Sequence, residues 1–466
     1  MKSSSIKLIV CFSLVVLVSG CGEDFLDLAP ESNANVENFY KTASDANSAV
    51  LAAYASLQSG DQYRSNFYTL FEYRSDNLQP TSTSNSRIAI SEFDAGPANE
   101  IVDNTWSSIY NTIFRCNELL DNVDDITFDE SLEAQYKGEA RFIRALSYFN
   151  AVRIWGEVPL VLRSVSTQES LNVGRSSVAE VYDAIEEDLV FATESLPAQY
   201  GGSDAGRAVA GAARTLLAKV LVYRQKWPEA AAQLQQVIAP GTFSLLSDVA
   251  DVFDVGNKDN EEMIFAIKFS KNIVGEGHGF LFTGLEDGTT AVTQDLVASY
   301  DTQDARGSLM QLVPSGTDFI IAKYFDELSS ANEAGNDIPV LRYAEVLLLR
   351  AEALNELGYE ADGEAFEQLN AIRQRSGLGL LTSADLPDQD SFRAAIYRER
   401  RWELALEADR WPDLVRTGTA LSALNGKTIN GFTYDIDEND LLYPIPLSEI
   451  QRMDNESLMY QNEGYE

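Results

Sequence analysis

The sequence predicts a mainly α-helical protein: a tetratricopeptide-like helical-repeat scaffold with irregular, loop-rich insertions and a few short strands. Three observations carry this prediction. Long stretches on both sides of the middle place apolar residues at the i, i+3, i+4, i+7 spacing of a helix face, with alanine at the contact positions. Between about residues 240 and 338 that rhythm gives way to glycine-rich, aromatic and alternating segments. At 466 residues and 45% hydrophobic content, the chain is long and apolar enough for a large core.

The helices follow in order. Over 36–58, Phe39, Tyr40, Ala43, Ala46, Ala49, Val50, Ala53, Tyr54 and Leu57 keep helical spacing. The next stretch, DQYRSNFYTLFEYRSDNLQPTSTSNS, begins aromatic and ends as a Ser/Thr/Asn/Pro loop; Glu72, Arg74, Asp76 and Asn77 stand where helix yields to loop. There they suit helix-end capping and a local ion pair. Helices follow over 101–123 (Trp106, Ile109, Tyr110, Ile113 and Cys116 inward), 131–155, 177–196 and 208–239. The last holds the clearest repeat unit, with Leu217, Ala218, Tyr223, Trp227, Ala230, Ala231 and Leu234 at packing positions and Pro228 at a first turn. Met263, Phe265, Ile267 and Phe269 alternate as in a strand. From Leu341 to Gly418 a helical hairpin returns, with Gly358 as a left-handed stop and Asp362 as the cap of its second helix. A third helix runs through YRERRWELALEADRWPDLVRTG, where Glu399, Glu403 and Glu407 line one face among arginines, the pattern of a salt-bridge lattice.

Composition narrows the function. Thirty-five basic against seventy-two acidic residues give a net charge of −37, which repels phosphate backbones, so nucleic acid is a poor partner. The single histidine, His278, excludes a His-rich zinc site and weakens any Ser-His or Cys-His mechanism. No phosphate-binding glycine loop of the GxxxxGK(S/T) or GxGxxG type is present, and no acid sits in a recognisable catalytic motif, so the sequence offers an enzyme reading no motif. Cys116 lies on an apolar helix face as a small core residue. The N-terminal Lys2 and Lys7, the apolar run Leu8–Val18 and Leu17-Val18-Ser19-Gly20-Cys21 resemble a bacterial lipoprotein signal, with cleavage before Cys21. Two or three acyl chains on that cysteine would anchor firmly where one would not.

The run YRERRWELALEADRWPDLVRTG is similar to the C-terminal signature of the SusD/RagB family. Other landmarks agree: Asp24 to Pro30 after the cysteine, Gly138-Glu139-Ala140-Arg141-Phe142 with Gly156 to Leu160, Asp304-x-Arg306, Lys323-Tyr324, Asp440 to Pro446, and Gln461 to Tyr465. The resemblance implies a signal peptide over 1–20, a lipidated tether over 21–32 and one SusD-like body over 33–466. That body divides into helical repeats at about 36–240 and 340–418, a ligand-side insertion at about 241–338 and a C-terminal cap over 419–466. It implies N-acyl and S-diacylglycerol lipid on Cys21, no cofactor, and an outer-membrane, surface-exposed location. It further implies capture of an oligosaccharide or polysaccharide for a SusC-like TonB-dependent transporter, with peptide capture as the alternative and glycoside hydrolysis far behind. Loops near 60–100 and 270–300 would hold the ligand. Candidate contacts are Glu72, Arg74, Asp76 and Asn77, with Tyr68, His278, Phe280 and Phe282; Tyr63 and Phe67 are further candidate stacking rings. All five tryptophans fall in scaffold helices or at their ends, a departure from members that display an exposed tryptophan.

Overall fold

Side-chain caps mark the starts of several of the helices. Thr42 and Asp45 form a reciprocal capping box that opens α1 (Ala43–Leu57), whose Ala46, Ala49, Val50, Ala53 and Leu57 are buried. The short α2 (Asn66–Glu72) leads into β1 (Leu78–Pro80) and α3 (Asn85–Ser91). Asn99 caps α4 (Glu100–Asn122), and Asp129 caps α5 (Glu130–Trp155). Ser177 and Glu180 open α6 (Val178–Ser195). Then come α7 (Ala210–Tyr223) and α8 (Trp227–Ile238), the latter with proline in its first turn as predicted. The computed structural model describes residues 39–81, 84–272, 290–315, 318–327, 334–429 and 431–465.

The helices stack on their neighbours: α1 on α4 and α5, α4 on α5, α5 on α6, α6 on α7, α7 on α8. Trp106 meets Trp155 edge-on at 4.9 Å between ring centroids, inside the seam between α4 and α5. Cys116 is buried there too, and burial pushes its thiol up to about 12. Past α8 the helical rhythm stops. The strand β2 (Met263–Ile267) pairs antiparallel with a later strand, Phe265 opposite Leu341 and Ile267 opposite Ile338, through an irregular register. Next, β3 (Thr290–Val292) precedes α9 (Gln294–Ser299), and a hairpin spans Leu312–Ser315 and Asp318–Ile321. The partner of β2 is β4 (Ile338–Arg342), which feeds α10 (Tyr343–Leu357), α11 (Glu364–Arg375) and α12 (Gln389–Glu403). These three helices close a second apolar cluster around Leu348, Phe366, Leu369 and Phe392. The chain ends with α13 (Arg410–Arg416), the small ladder of β5 (Thr428–Ile429) with β6 (Phe432–Thr433), and α14 (Leu447–Met453). No helix among the described residues is long and apolar enough to cross a membrane.

Three local expectations are corrected. Gly358 ends α10 with φ 162, which is extended backbone, not a left-handed stop. Asp362 does not cap α11. Gly363 holds that position, while Asp362 takes φ 54 and accepts hydrogen bonds from the Ser383 backbone and hydroxyl. The third correction is larger. The run predicted as one helix breaks between Glu403 and Arg410, and Leu406 and Ala408 both sit at φ 65. Left-handed backbone costs a residue with a Cβ roughly 1–2 kcal/mol, so something must hold it there. Lys323 donates to the Ala405 carbonyl at 2.5 Å and Tyr324 to the Leu406 carbonyl at 2.8 Å. Arg342 donates to the Glu403 carbonyl at 2.6 Å. These donors take up carbonyls that a continuous helix would have used.

Around the break lies the lattice that the acid-arginine pattern predicted, in two closed parts. In the first, Arg306, Arg342, Arg373, Arg375 and Lys323 face Asp304, Glu262, Glu399, Glu403 and Glu407, five cations against five carboxylates. In the second, Arg153, Lys219, Arg400 and Arg416 face Asp409, Glu345, Asp413 and Glu352, four against four. Burial alone would raise Glu403, but Arg375, Arg342 and Arg306 hold it well below the usual carboxylate range. Buried pairs of this kind add little net stability, yet removing one partner costs about 3–5 kcal/mol.

Candidate functional site

The strand β1 pairs antiparallel with β3, Leu78 opposite Val292 and Pro80 opposite Thr290, and so joins the two loop regions named as ligand-holding. Thr293 reinforces the joint. Its backbone N–H donates to the Asn77 carbonyl at 2.9 Å and its hydroxyl to the Asp76 carbonyl at 2.6 Å, while the same hydroxyl accepts from Leu296 as the cap of α9. Asp76 sits at the centre. Its carboxylate accepts from Arg410 Nε at 2.8 Å and Lys427 Nζ at 3.0 Å, with Arg401 at 3.2 Å. Burial would raise this carboxyl, but Arg410, Arg401 and Lys427 together hold it well below the usual range.

The neighbouring candidates are equally interior. Asn77 accepts from Arg401 Nε at 3.0 Å. Glu72 accepts from the Ala408 N–H at 2.8 Å, which pins the strained turn from the other side; burial pushes its carboxyl up to about 7. Arg74 lies 3.5 Å from the Tyr443 ring centroid and donates to the Asp440 and Leu442 carbonyls, so it holds the C-terminal segment. Tyr68 packs against Tyr324, and burial raises its hydroxyl well above the ordinary value.

None of these five side chains reaches solvent. The expectation that Tyr68, Glu72, Arg74, Asp76 and Asn77 touch a ligand is therefore corrected: they frame the edge from inside. Tyr63 and Phe67 are core rings as well, not a stacking platform. His278, Phe280, Phe282 and Cys21 lie outside the described residues.

The groups that do meet solvent at this edge were not singled out from sequence. Asp295 in α9 is one-third exposed and pairs with Arg401 at 2.5 Å and Lys427 at 3.3 Å. One turn on, Ser299 accepts from the Trp402 indole N–H at 3.0 Å, and the Tyr300 hydroxyl donates to the Trp402 carbonyl at 2.9 Å. Tyr300 and Trp402 are half-buried, with ring centroids 6.3 Å apart. Trp402 is thus a scaffold-helix tryptophan that nevertheless borders the joined loops; its sequence signal was its place in the run YRERRWELALEADRWPDLVRTG, which does not reveal exposure. The edge combines partly exposed rings with fixed planar donors and acceptors, the combination that suits a hydroxyl-rich ligand. Its two carboxylates, Asp76 and Asp295, are both ion-paired.

A family model described as "SusD family" matches residues 267–465, and one described as "Starch-binding associating with outer membrane" matches residues 24–222. A SusD-like protein of Formosa agariphila is 28% identical, over 96% of this chain and 96% of its own. The starch-binding protein SusD of Bacteroides thetaiotaomicron is 29% identical over 48% of this chain and 39% of its own. A solved laminarin-binding SusD-like protein superposes with a TM-score of 0.77 at 26% identity, covering 91% of this chain and 100% of that one.

Proposed function

The chain belongs to the SusD family, and on that premise we propose that it captures a glycan at the β1–β3 edge and passes it to a TonB-dependent outer-membrane transporter. The observation that carries this reading is the joining of residues 76–81 to residues 290–299 beside Trp402, Tyr300, Asp295 and Lys427. Relatives whose names say they bind starch and laminarin support a glycan over other ligands. Capture needs no proton transfer, and the paired carboxylates of the edge are held for binding rather than for hydrolysis. Lipid on Cys21 is the proposed anchor at the cell surface, and the helical repeats are the proposed face toward the transporter.

A thermal-shift screen against polysaccharides, oligosaccharides and peptides tests the reading. A ligand at 100 times its dissociation constant adds about 2.7 kcal/mol to stability. Stabilisation by one glycan class is the expected result. Stabilisation by peptides alone would replace glycan with peptide capture.

A further inference from the structure

The helix pair α12–α13 carries three ionic networks, and they differ in one respect. The two buried ones are neutral, as counted above. The third, at the candidate edge, sets Arg401, Arg410 and Lys427 against only Asp76 and Asp295 among the described residues. One cation is in excess within a chain of net charge −37. It is also the network with solvent access, since Lys427 is 34% exposed. Lys427 and Arg401 share the same Oδ2 atoms of Asp76 and Asp295, so their heads are neighbours.

Arg398 adds to the excess. It stands one turn before Arg401 and Trp402 on the same helix face, exposed, with its guanidinium 5.6 Å from the Trp402 ring centroid and no carboxylate partner among the described residues. Behind this rim the buried Asn77 side-chain N–H2 also lacks an acceptor. Glu92, exposed across Tyr434, pairs with none of these cations. Surplus donors beside an aromatic ring call for a ligand group that only accepts hydrogen bonds and carries negative charge.

We propose that Arg398, Arg401 and Lys427 beside Trp402 receive an anionic substituent, a carboxylate or a sulfate ester, of the captured glycan. This rests on the glycan-capture reading. The test is isothermal titration of the purified full-length chain with a neutral glucan, a polyuronate and a sulfated galactan, repeated with Arg398→Ala and Lys427→Ala. The expected result is preference for the polyuronate or the sulfated glycan, weakening as salt rises. Each variant should lower that preference over the neutral glucan by about tenfold. Which acidic polymer responds separates carboxylate from sulfate. Arg398→Ala touches no buried pair, so its unfolding midpoint serves as the folding control. Equal or tighter binding of the neutral glucan, with the ratio unchanged in Arg398→Ala, overturns the proposal and leaves glycan capture standing. No binding of any glycan overturns both.

Discussion

Asp76 balances three cations from a position that water does not reach. Asp76→Asn keeps the shape and removes the charge, leaving Arg401, Arg410 and Lys427 under-compensated. A loss of about 3–5 kcal/mol is expected, read as a lower denaturation midpoint with unchanged slope. Glu72 behaves oppositely with pH. Its folded pKa of about 7 lies above its ordinary value of 4.5, so the folded state prefers it protonated. The stability it contributes is full below about pH 4.5 and is lost as pH rises through about 7, roughly 3 kcal/mol in all. Chemical denaturation between pH 5 and 8 should show that fall, and Glu72→Gln should flatten it. Asp76, whose pKa is depressed, contributes above its ordinary range and loses its share on acidification, so the two groups separate cleanly by pH. Both residues stood out in the sequence because they close a helix. That they face inward was not legible, since the atoms that bury and pair them lie more than 300 residues away, at Arg401, Ala408, Arg410 and Lys427.

The break between α12 and α13 was the largest surprise among the elements, and its cause is physical. The run Leu404–Asp409 has good helix formers and no glycine or proline, so local propensity favours continuing. Tertiary contacts win: Lys323, Tyr324, Arg342 and Glu72 each bind a backbone group of the turn. Ala408→Gly discriminates the two situations. In a helix it would cost about 1 kcal/mol; at φ 65 it should be neutral or stabilising by about 1 kcal/mol, measured by thermal unfolding. The remaining helices were legible because an apolar face and a capping residue are both written locally, as with Thr42 and Asp45 or Ser177 and Glu180. The pairing of β1 with β3 was not, because three-residue strands carry no period and their partners are more than 200 residues apart.

Across the whole molecule, residues from both halves converge on the C-terminal segment. Arg175 donates to the Tyr460 carbonyl and the Asn462 side chain while also holding the Glu157 carbonyl, and Asn462 in turn donates to Trp155 and Tyr443 carbonyls. With Arg74 on Tyr443, these bonds fasten the last twenty-odd residues over the first repeats. Arg175→Ala should therefore release the segment after α14, seen as earlier cleavage there in limited proteolysis while the helical body stays intact. An unchanged cleavage pattern would show the tail held by its apolar contacts alone. The two neutral lattices divide the molecule in another way. Their members are mutually dependent, so a substitution at Glu403 or Arg342 must be answered elsewhere. Arg398 and the exposed edge of Lys427 lie outside that dependence. Under the proposed reading, recognition is then separable from folding: a library varied at Arg398 would retain its fold and sample new ligands.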